Sequence, residues 1–164
     1  PMLLCEQCDS VRVLAIDLST NMLDMASMNI HSASLLDRIM LDRADSKELP
    51  YEDQRFDVVI ANSLIHHLPS PKLAIEQAIR VCRPGGLLFF RDLLRPESER
   101  QLLELCELHV ADATDHGKKM FSESLRASLT LEELGAILSE LGYSESDVQQ
   151  TSDRHWTWST TKSN

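Results

Sequence analysis

One stretch, Arg55 to Leu93 (RFDVVIANSLIHHLPSPKLAIEQAIRVCRPGGLLFFRDL), constrains the fold more than any other part of the chain. Phe56 to Ala61 is a short apolar run rich in β-branched residues, and polar Asn62 and Ser63 follow it at once. Ser70-Pro71 has the order of an N-cap and first helical residue. Leu73, Ala74, Ile75, Ala78, Ile79 and Cys82 then give an apolar stripe at helical spacing. Pro84-Gly85-Gly86 breaks that helix, and Leu87 to Phe90 is apolar without alternation, as in a strand covered on both faces. Strand, helix and strand in this order predict a right-handed parallel crossover. Ligands of open parallel sheets bind beyond the carboxyl ends of the strands. Asn62, Ser63, His66 and His67 lie beyond the first strand, and Arg91-Asp92 beyond the second.

The flanking sequence extends the same alternation. Met2 to Cys8 reads as the last turns of a helix, and Val11 to Ile16 as a strand ending at Asp17. Ser19 caps a helix carrying Met22, Leu23, Met25 and Ala26, and Ile39 to Leu41 is the core of the next strand, closing near Asp45. Glu97 to Val110 is predicted helical, and polar Ala111 to Lys119 a mobile loop, so residues 95–128 form a helical or lid-like insertion. Thr130-Leu131-Glu132-Glu133 is a capping box with Leu129 and Leu134 as its hydrophobic staple, and the helix it opens runs to Gly142. Ser144 to Thr161 predicts two short antiparallel strands on the sheet edge, with Trp156 and Trp158 as packing residues. The predicted fold class is α/β: a Rossmann-like three-layer sandwich, mostly parallel, ending in an antiparallel hairpin, over one domain spanning 1–164.

Charge narrows the partners. The formal net charge is -10 and no basic tract occurs, which disfavours a nucleic-acid substrate and favours a small molecule. No apolar run approaches the ~20 residues of a membrane span, and no secretory signal is visible, so a cytoplasmic location is expected. Cys5 and Cys8 have the spacing of a redox or zinc half-site without a second half, and are expected to be two buried thiols one helical turn apart. No metal site is expected.

Asp17, Asp45, Asn62 and Asp92 each close a predicted strand, which brings four polar groups to one rim. Asp17 is placed to accept from both hydroxyls of a ribose, Asp45 from an adenine amino group, and Leu18 to cover a purine face. The same residues also suit simple turns and caps. VLAIDLSTNMLDMA resembles the second strand and following helix of class I S-adenosylmethionine-dependent methyltransferases. RADSKELPYEDQRFDVVIANSLIHHLPSPKLAIEQAIRVCRPGGLLFFRDLLRP resembles their segment from the adenine loop through the fifth strand, and the turn Arg80 to Gly86 is the specific signal. The subgroup resembled is the small-molecule methyltransferase domains. The resemblance implies S-adenosyl-L-methionine as cofactor and S-adenosylhomocysteine as product. By position it implies Asp17 on the ribose, Leu18 on adenine, Asp45 and the Ser46 backbone on the adenine edge, and Asn62 beside the methionine moiety. The methyl acceptor would then lie near Asn62, His66, His67 and Asp92. His66 or His67 is a candidate general base. The alternatives are a helix-start pair for the two histidines and local hydrogen bonding for Asp92.

One family element has no counterpart here. No glycine lies before Gly85, whereas the family's first strand ends in a glycine-rich turn. The chain is therefore expected to be N-terminally truncated, with an opened sheet through which self-association can occur. Two other functions compete with methyl transfer: a non-catalytic domain of the same fold used for partner binding, and a nicotinamide-dependent oxidoreductase.

Overall fold

Two parallel strands organise the first of two compact units, Pro1–Pro50. In the computed structural model, which describes residues 1–163, β1 (Val13–Asp17) pairs with β2 (Ile39–Arg43) from Val13↔Ile39 to Asp17↔Arg43. Helices α1 (Met2–Gln7) and α2 (Thr20–Ser32) supply the packing, and Cys5, Ile30, Leu35 and Ile39 form the core. Ser19 caps α2 by accepting from the Met22 amide. The α2 methionines face outward: Met22 and Met25 are more than half exposed, and Ile30 is the buried residue. Cys8 also departs from expectation. α1 ends at Gln7, so Cys8 turns into extended backbone and is exposed while Cys5 is buried.

The second unit, from Tyr51 onward, is built on a four-stranded sheet of order β3-β4-β6-β5. β3 (Phe56–Asn62) runs parallel to β4 (Cys82–Leu93), with α3 (Pro71–Val81) as the crossover. Ser70 precedes α3 as expected, but its side chain makes no cap hydrogen bond; Pro71 at the first position does the starting. The helix buries Ala74, Ile75, Ala78 and Val81, whereas Leu73 stays exposed. The Pro-Gly-Gly segment belongs to the start of β4, where it forms a bulge. Register jumps from Phe56↔Cys82 to Val58↔Leu87. A side chain on Gly86 would meet the Asp57 carbonyl at 2.8 Å, so only glycine lets the strands close there.

Beyond β4, α4 (Glu99–Val110) and α5 (Asp115–Ala127) fill the 95–128 region. The expected loop at 111–119 is mostly the first turns of α5. Thr114 caps it by accepting from the Gly117 amide, and Phe121 and Leu125 turn inward. Polar residues on its outer face conceal that period in the sequence. Leu102, Leu105 and Leu125 close over Leu93 as a separate small core. α6 (Leu131–Glu140) has the expected capping box, with Gly142 just past its end at φ +82°. β5 (Val148–Ser152) and β6 (His155–Thr161) form the expected antiparallel hairpin, and β6 pairs with β4. Trp156 and Trp158 are fully buried in the main core with Ile75, Leu88, Phe90 and Leu134. Among the described residues, no helix is long and apolar enough to cross a membrane.

Candidate active site

The residues singled out in the first unit gather at the carboxyl end of β1 and β2. Asp17 closes β1, and its Oδ1 accepts from the Ser19 amide at 2.8 Å, which anchors the start of α2. Leu18 is exposed, and its carbonyl accepts from Arg43 Nε. Asp45 lies two residues past β2, and its carboxylate is paired with Lys47 Nζ at 2.8 and 2.9 Å. The hydrogen bond from the Lys47 ammonium, then that from its amide, holds the Asp45 carboxyl below its ordinary value. The pair is half-buried, and such a short-range pair on the rim of the structure can still be exchanged for a ligand contact. Ser46 is half-buried in the same turn.

In the second unit, the rim of β3 and β4 brings four more together. The chain leaves β3 through Asn62 and turns sharply at Ser63, which takes the left-handed conformation at φ +53°. The Ser63 amide donates to the Arg91 carbonyl at 2.9 Å, which fixes that turn against β4. The next residues wind into a short 3-10 turn, Ile65–His67. Asp92, on β4, is 1% exposed and holds this turn with both oxygens. Oδ2 accepts from the Ile65 amide at 2.6 Å, and Oδ1 lies 2.5 Å from His66 Nδ1 and accepts from the Leu93 amide at 2.7 Å. Burial opposes the charge on Asp92, but the His66 hydrogen bond, the His66 charge and the two amides together hold its carboxyl below the usual range.

The sequence named His66 and Asp92 separately; only the fold makes them a dyad, across 26 residues of chain. With Nδ1–H donating to the carboxylate, the neutral imidazole presents Nε2 as an acceptor, and the buried anion supports the imidazolium once a proton arrives. The His67 ring lies against that of His66, with centroids 3.9 Å apart and the planes tilted by 45°. Burial, then the neighbouring His66 charge, pushes the His67 imidazole below its ordinary value, against the pull of Asp92. Among the described residues, no cluster of three or more metal-ligating side chains occurs.

The first unit is thus a parallel strand pair closed by an acid, and the second a parallel crossover with a buried His-Asp dyad at its rim. Residues 2–90 match the family model described as a methyltransferase domain, and the chain belongs to that family. It is 34% identical over 152 residues to the 27-O-demethylrifamycin SV methyltransferase of Amycolatopsis mediterranei, covering 91% of this chain and 53% of that protein. The fold resembles a SAM-dependent methyltransferase from Aquifex aeolicus (TM-score 0.64, 17% identity, 92% of this chain and 69% of that one). It also resembles phospholethanolamine N-methyltransferase 2 of Haemonchus contortus, solved with phosphomonomethylethanolamine and S-adenosylhomocysteine (TM-score 0.65, 21% identity, 88% of this chain and 30% of that one). The chain thus spans about half the length of the rifamycin relative.

Proposed function

We propose that this chain carries the adenosine-binding and acceptor-activating parts of an S-adenosylmethionine-dependent methyltransferase acting on a small molecule. The observation that carries the reading is the buried His66–Asp92 dyad on the rim of the methyltransferase-family sheet. The side chains present suit the cofactor: Asp17 keeps its Oδ2 for a ribose hydroxyl, the exposed Leu18 offers an apolar face to adenine, and the Asp45 turn offers acceptors to its edge. When bound, S-adenosyl-L-methionine supplies a methyl group already activated on a sulfonium. His66 Nε2 would take the proton of the acceptor's hydroxyl or amine. Asp92 holds the ring at Nδ1 and stabilises the imidazolium. Asn62, exposed beside Ser63, lies on the same rim and orients the reacting groups. α5 packs against the 3-10 turn carrying His66 and His67, so the 95–128 helices bound the acceptor side. Excluding water and aligning the reactants provide most of the acceleration for such a displacement.

The test is calorimetric titration with S-adenosylhomocysteine of this chain and of the longest natural protein that contains it. Asp17→Ala is expected to weaken binding by about 10- to 100-fold, the worth of one or two charge-assisted hydrogen bonds. Unchanged affinity in the variant, or no binding to the natural protein, overturns the reading.

A further inference from the structure

Every other arginine of the chain engages a carbonyl, a carboxylate, a hydroxyl or an aromatic ring, down to the exposed Arg100 with Glu104 and Arg55 over Tyr51. Arg91 alone has no such partner among the described residues, although it is half-buried. Its place in the sheet explains why none is available. Arg91 stands between Asn62 of β3 and Thr157 of β6, in a row whose neighbours on the same face are Ile60, Phe89 and Ser159 on one side and Leu93 and His155 on the other. No carboxylate falls on this face in β3, β4 or β6; Asp92 points to the opposite one and is already occupied. A titratable neighbour on this face is His155, whose imidazole is pushed below its ordinary value by burial and then by the Arg91 charge.

Cover along this face is graded. Leu87 is 39% exposed and Leu93 9%, because α4 and α5 close over Leu93. Arg91 lies at the lip of that cover, on the carboxyl end of the parallel pair, beside Asn62. A partly desolvated guanidinium without a counter-ion is unfavourable, and its planar fork matches a carboxylate in two hydrogen bonds.

We propose that Arg91 is an anion-recognition residue that takes a carboxylate of a bound small molecule at this rim. The methyl-transfer reading enters only through the two sources it offers, the amino-acid carboxylate of the cofactor or an acidic group on the acceptor. The test follows the Arg91 Nε–Hε resonance of the nitrogen-15-labelled chain, assigned by its loss in Arg91→Gln, during titration with sodium benzoate. A saturable shift is expected, with a dissociation constant on the order of 10 mM or tighter. Arg91→Lys, which keeps the charge but loses the fork, is expected to bind benzoate several-fold more weakly at the remaining reporters near Asn62. Saturating S-adenosylhomocysteine that displaces benzoate assigns the site to the cofactor's carboxylate; benzoate binding that persists beside it assigns the site to the acceptor. Should S-adenosylhomocysteine not bind at all, the benzoate titration still reads Arg91 directly, so that outcome counts against methyl transfer and not against the anion site. No saturable shift in the natural chain, or the same amide shifts retained in Arg91→Gln, overturns the proposal.

Discussion

At the scale of single residues, the dyad makes separable predictions about rate and stability. His66→Gln keeps the shape of the side chain and removes the base, so kcat is expected to fall by roughly 10²- to 10⁴-fold with KM little changed. A variant that keeps its rate excludes His66 as the base. Stability should respond to acid in two ranges. His67 and His155 are both held below their ordinary value, so the unfolded chain binds protons that the folded chain does not. Stability is therefore full above about pH 6.5 and declines as pH falls through the two depressed values. Asp92, also depressed, adds its own loss only as pH falls below about 4. Urea midpoints at pH 7.5, 6.5 and 5.5 check the first range, and the double replacement His67→Gln with His155→Gln is expected to flatten it.

At the scale of elements, the Pro-Gly-Gly bulge separates two glycines that the sequence writes side by side. Gly85 sits at φ +73° with open space around a would-be Cβ, so Gly85→Ala is expected to cost about 1 kcal/mol of backbone strain. Gly86 has no such φ, but its Cβ would lie 2.8 Å from the Asp57 carbonyl and 2.9 Å from that of Arg83. Backbone cannot give way as a side chain does, so Gly86→Ala is expected to cost about 3 kcal/mol, the upper end for overpacking. Urea unfolding of the two variants checks the order; equal losses would mean that the β3–β4 approach is looser than its register implies. At the next helix, Thr130 satisfies the Glu133 amide while Glu133 returns to the Thr130 amide. Both halves of that box stand three residues apart in the chain, which is why it was readable without a fold.

At the scale of the molecule, the second unit leaves apolar surface uncovered. Among the described residues β3 pairs with β4 alone, and Val58 and Ile60 are 46% and 48% exposed on it. An unpaired strand edge beside apolar side chains favours association. Ile60→Lys is expected to raise the concentration at which the chain aggregates, seen by light scattering, while the urea-unfolding free energy stays within about 0.5 kcal/mol. No change in aggregation would show that this face is not the adhesive one.

Local chemistry was enough to determine the order of elements apart from α5, the crossover from β3 through α3 to β4, the α6 capping box and the closing hairpin. Each rests on residues a few positions apart: a cap, an apolar period, a breaker. The sequence also determined that Asp17 and Asn62 would end strands, whereas Asp45 falls two residues past β2 and Asp92 one residue before the end of β4. Folding decided what lies between distant residues. It turned α5 inward on Phe121 and Leu125, faced the α2 methionines outward, exposed Cys8, and gave the Asp45 carboxylate to Lys47. It brought Asp92 under Ile65 and His66, and it left Arg91 without a counter-ion on a face with no carboxylate. Which side chain meets which across a sheet depends on register and on the cover above each face, and neither is a property of any short segment.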